Sequence, residues 1–134
     1  MSFDLFVIFF GETEREGISR ERVRKLFPIV EKESDSSRWS IRYDARNHSE
    51  VHPGNDAVTL KGLSVNRPCG ELRLWRALHS ILQMGQVFLC WPGGPPIVAS
   101  DSVAAALPAD VKESLGPAHI VKSGEEILEL VRNT

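Results

Sequence analysis

The stretch Arg67–Pro96, RPCGELRLWRALHSILQMGQVFLCWPGGPP, decides the local architecture. Leu74, Trp75, Leu78, Ile81 and Leu82 recur at helical spacing, and Arg73, Arg76, Ser80 and Gln83 fall on the other side. That pattern predicts an amphipathic helix over 70–84. Gly85 suits the residue that stops it. Gln86 to Trp91 is almost continuously apolar, the pattern of a strand covered on both faces. The loop from Pro92 to Pro96 resembles a phosphate loop only superficially. It lacks the Lys-Ser/Thr pair and the spaced glycines, and its prolines have no amide to offer. A helix over 70–84 advances about 22 Å, and the strand returns about 17–20 Å. Cys69 and Trp91 are therefore expected at one end of the fold.

Working outward, residues 3–10 read as a first strand, rich in Phe, Val and Ile. A helix is expected from Ser19, with Val23, Leu26, Phe27 and Val30 on one stripe and Pro28 forcing a kink or an early stop near Phe27. Trp39, Ile41 and Tyr43 alternate with Ser40, Arg42 and Asp44, a half-buried strand. Residues 47–56 are polar and contain Pro53-Gly54, so a loop is expected there. A further strand follows over 57–65, with Gly62 marking a bulge. After Pro96 come a short strand at Ile97–Ala99, a helix capped by Ser100 or Asp101, and another opened by Pro108 and stopped by Gly116. His119–Val121 is a strand candidate, and Ser123 to Glu126 has capping-box spacing before a last helix.

The order β-α-β-β-α-β predicts an α+β fold. It is read as a single domain over 1–134, with a ferredoxin-like split core and a mostly helical C-terminal extension. An α/β three-layer arrangement is the competitor.

Net charge is −2 with pI near 6.1, and the basic cluster Arg15–Lys25 is interleaved with Glu14, Glu16 and Glu21. Neither nucleic acid nor an anionic membrane is expected as partner. No segment reaches the about 18 apolar residues of a membrane span. The apolar N-terminal run lacks a basic flank, so it does not read as a signal peptide. A reducing, cytoplasmic setting with both cysteines free is expected. A Cys69–Cys90 disulfide is conceivable geometrically and disfavoured by that setting.

Three groups carry candidate chemistry. Cys69 precedes a helix N-terminus, where amides favour a thiolate. It would make a nucleophile beside Asn66, Arg67 and Trp91, but no His lies near it to serve as base. Against that stands a small, partly buried side chain at a helix cap. His48, Glu50 and His52 share one face if they lie on a strand. They are one ligand short of a closed metal site, so no metal and no cofactor are expected. Trp91 is either core or an exposed interface anchor. His79 reads as a boundary residue of the helix, and Glu12, Glu14 and Glu16 as a solubilising acidic loop.

In general character the chain resembles small cytoplasmic bacterial proteins that neutralise toxins or serve as adaptors. The resemblance rests on size, acidity and the lack of a convergent catalytic set, involves no motif and transfers no site residue. The leading expectation is a protein-interaction module of the immunity or antitoxin type, binding through Asn66, Arg67 and Trp91. The alternatives are a small enzyme with Cys69 as nucleophile and a homodimer enclosing a small ligand.

Overall fold

The computed structural model describes residues 2–11, 17–55 and 58–133. The acidic residues Glu12, Glu14 and Glu16, and Asp56 with Ala57, lie outside the described residues. In chain order the elements are β1 (Leu5–Phe9), β2 (Ile18–Ser19), α1 (Arg20–Arg24), β3 (Trp39–Arg42), β4 (His48–His52), β5 (Thr59–Leu60), β6 (Gly62–Asn66), α2 (Leu72–Leu82) and β7 (Val87–Cys90). Then follow β8 (Ile97–Val98), α3 (Asp101–Ala106), α4 (Ala109–Leu115), β9 (His119–Ile120) and α5 (Gly124–Arg132). They form one small mixed α+β domain around a seven-stranded sheet of order β3-β4-β6-β1-β7-β8-β9. Among the described strands only the β8–β9 pair is parallel.

The decisive stretch folds as its periodicity dictates. Leu74, Trp75, Leu78, Ile81 and Leu82 are fully buried, each worth about 1.5–3 kcal/mol of transfer energy. The helix is shorter than expected. It starts at Leu72 because Glu71 caps it, its carboxylate accepting the Arg73 amide. β7 is covered on both faces, as an apolar run requires. The ends of β6 and β7 flank the start of β1, with Leu5 opposite Val65 and Phe6 opposite Cys90.

The ferredoxin-like order is not confirmed. β6-α2-β7 is a split unit around β1, as expected, but among its described residues the first crossover carries just the five-residue helix α1 and a 3-10 turn over Glu31–Glu33. Residues 48–52, expected within a loop, form β4, which pairs with β3 on one side and β6 on the other. Their polar residues alternate with Ser49 and Val51, both buried. The strand thus has one dry and one wet face, which its composition masks. The anticipated bulge at Gly62 is a change of sheets. β5 pairs with β2 in a separate ribbon, and Gly62 then enters the main sheet beside β1. A Cβ at Gly62 would stand 2.8 Å from the Val7 carbonyl oxygen, so glycine is required.

The C-terminal part is not only helical, since β8 and β9 extend the sheet. α2 and α5 pack on one face with Leu5, Val7, Val51, Val65 and Leu89 in the main core. α3 and α4 cover the other face over Phe88 and Val98. Helices therefore lie on both faces, as a three-layer fold would have, but the sheet is antiparallel apart from the β8–β9 pair, and among the described residues its second face is covered on one half only. The open half is formed by β1, β6, β4 and β3, with Phe6 and Ile8 exposed on β1. No helix among the described residues is long and apolar enough to cross a membrane.

Candidate functional site

At the open end of β4 and β6 lies a cleft of about 400 Å³ lined by His48, Ser49, Glu50, Asn66 and Arg67. It joins two groups that the sequence presented separately, the His48–Glu50–His52 alternation and the Asn66-Arg67 pair. The register explains the meeting, because Glu50 lies directly opposite Asn66 and His52 opposite Ser64.

Ser49 is the one buried polar residue among those described, and it builds the floor. Its hydroxyl donates to the Arg67 carbonyl at 3.1 Å and accepts the Cys69 amide at 3.0 Å. The Trp75 indole N–H donates to the Cys69 carbonyl at 3.0 Å. These bonds fix the chain as it leaves β6, where Arg67 takes φ +46°, the only positive φ among described non-glycine residues. That left-handed conformation costs an L-residue about 1–2 kcal/mol.

Above the floor, the Asn66 amide nitrogen is 3.0 Å from His52 Nε2. The same ring nitrogen is 3.5 Å from Glu50 Oε2, and Arg38 approaches the other Glu50 oxygen at 3.7 Å. A neutral His52 accepts from Asn66 and a protonated one pairs with Glu50. Glu50 is thus already met by two cationic or donor groups. The Arg67 guanidinium and the His48 ring have no partner among the described residues. No group of three or more His, Cys, Asp or Glu among the described residues is placed to hold a metal ion.

The expected constellation is divided by the sheet. Asn66 lies on the open face with Arg67 exposed beside it, while Cys69 and Trp91 pack against the main core. Trp91 is 3% exposed, and Gly94 lies flat on its indole, where a Cβ would fall 2.2 Å from a ring carbon. Trp39 and Trp75 are buried as well. Trp91 is therefore core, the first of its two readings, and none of the three tryptophans is an exposed anchor. Cys69 does not border the cleft and stands three residues before α2. Cys69 and Cys90 are both free, and Cys90 belongs to the cluster on the opposite face. Burial pushes the Cys90 thiol pKa up.

Two larger clefts are more open to solvent. One, of about 560 Å³, lies between the start of α2 and α5. The other, of about 620 Å³, lies beside Tyr43 and Asp44. Asp44 belongs to the β3–β4 turn: its carboxylate accepts from the Asn47 side chain and from the Arg46 and Asn47 amides, which lower its pKa. Tyr43 has its hydroxyl buried and its pKa raised, by burial first and by nearby Cys69 second.

Phe6 and Ile8 are the residues that sequence reasoning passed over. Alternation with Leu5 and Val7 on β1 was visible, but a run of apolar residues conceals which half faces water. No protein-family model, curated protein or solved structure matches the chain.

Proposed function

We propose that the protein is an interaction module that binds a protein partner on the open half of its sheet. The observation that carries this reading is the exposure of Phe6 and Ile8, 41% and 38%, on a central strand beside a polar cleft. Ser64 separates Phe6 from His52, so the apolar pair has a polar rim. An apolar centre within such a rim is the anatomy of a protein interface. An immunity or antitoxin-type role is compatible with this surface and is part of the proposal.

The enzyme reading has less support, because Cys69 does not line the cleft and its amide and carbonyl serve to shape the turn. Self-association on the bare strands alone also has less support. Four strands about 4.8 Å apart and about five residues long present about 300 Å² in projection. A standard interface covers about 800 Å² per partner, so an occupant of that size extends beyond these four strands.

The test is capture from native lysate with tagged wild-type protein and with a Phe6→Ser, Ile8→Ser double variant, each first shown to be folded. A stoichiometric partner lost with the double variant supports the reading. A partner that both forms retain equally, or capture of the protein by itself only, overturns it.

A further inference from the structure

We infer that the partner docks by placing a carboxylate in the cleft against Arg67 and His48, with an apolar residue on Phe6 and Ile8. This rests on the interaction reading above and goes further, because it assigns the chemistry of the docking segment.

Charge complementarity carries the argument. The cleft holds one acid, Glu50, which already faces Arg38 at 3.7 Å and His52 at 3.5 Å. A basic group arriving there would compete with two existing partners. Arg67 and His48 line the same cleft and have no side-chain partner among the described residues. A planar guanidinium is suited to a carboxylate, which it can meet with two parallel N–H donors. The Asn66 amide has a second N–H beyond the one directed at His52.

Position also favours arginine in this role. The strand end is pinned by Ser49, so the Arg67 backbone is held while its side chain remains exposed. Strand spacing places Phe6 about 8 Å from Asn66, the strand residue next to Arg67, and about 16 Å from His48, so the acid of a docked segment falls between these two side chains. An acidic residue three positions from an apolar one on an extended segment spans about 10 Å. The segment that fits is therefore short, carries an exposed acid, and has an apolar residue about three positions away.

The test uses isotope-labelled full-length protein titrated with an acetylated, amidated Leu-Gly-Gly-Glu peptide, followed by NMR. Leu-Gly-Gly-Gln and Ser-Gly-Gly-Glu serve as controls. Shifts are expected at the Arg67 Nε–H, the Asn66 side-chain amide and the Phe6 and Ile8 amides. The Gln peptide should bind about fivefold more weakly, the upper range for an exposed charge pair. Arg67→Gln should remove that preference and leave the weak contribution of the leucine. Equal binding of the Glu and Gln peptides, shifts confined to another surface, or no shift at millimolar peptide overturns the inference. Native capture separates this failure from failure of the interaction reading. A partner sensitive to the Phe6 and Ile8 substitutions but indifferent to Arg67→Gln sinks the carboxylate alone.

Discussion

Replacing Ser49 by alanine tests whether one hydroxyl organises the cleft. The residue is 5% exposed, and its oxygen serves the Cys69 amide and the Arg67 carbonyl, at 3.0 and 3.1 Å. Losing two neutral hydrogen bonds costs about 1 kcal/mol each. Arg67 is exposed, so its carbonyl recruits water. Cys69 is half-buried, so its amide pays part of a desolvation penalty of about 1–3 kcal/mol. The sum is a loss of about 2–3 kcal/mol. For a chain of this length that lowers Tm by about 8–12 °C. Urea unfolding gives the free energy, with Ser49→Thr as a control that keeps the hydroxyl. An alanine variant within about 0.5 kcal/mol of wild type would refute the bracing role.

Arg67→Gly should leave stability intact or raise it by up to about 1 kcal/mol, because relief of the left-handed conformation outweighs the entropy glycine adds to the unfolded chain. Binding of the acidic peptide should fall together with that gain, and a clear loss of stability on urea unfolding would show that the arginine side chain holds the fold. Gly124→Ala should destabilise by about 3 kcal/mol or more, since its Cβ would stand 2.5 Å from the Arg76 amide nitrogen and α5 cannot then seat on α2. Normal thermal unfolding of that variant contradicts the packing. The half-buried Cys90 thiol holds its proton to higher pH folded than unfolded. Its stabilising contribution is complete below the unfolded thiol value of about 8.5 and is lost as pH rises through the folded value. Urea midpoints should therefore fall less between about pH 7 and about pH 10 in Cys90→Ala than in wild type, and equal falls would contradict the shift.

What could be read from the sequence was whatever local chemistry alone decides. The stripe of α2, the Ser100 cap of α3, the Pro108 start of α4 and the Ser123 cap of α5 depend on neighbours within a few residues. β4 was hidden because Pro53-Gly54 gave a strong turn signal and the wet face supplied three of its five residues. The cleft was half legible. Asn66 and Arg67 were identified, as were His48, Glu50 and His52, but their meeting depends on the β4–β6 register, which no local pattern encodes. The same register put Asn66 on one face, whereas Cys69 and Trp91 pack on the other. An expectation based on distance along the chain placed all three at the right end and did not distinguish sides. Trp91 was left between core and interface because one side of its indole is covered by Gly94, a contact that leaves no trace in hydrophobic spacing.

The central position of β1 has a consequence for biosynthesis. Its two neighbours are residues 62–65 and 87–90, so neither edge of the strand can be satisfied until a long further length of chain has left the ribosome. Such distant pairings are slow to form. Until then Leu5–Phe10, an apolar run with high strand propensity, is exposed to other nascent chains. Expression yield is therefore expected to depend on chaperone supply and translation speed more than on the stability of the finished fold.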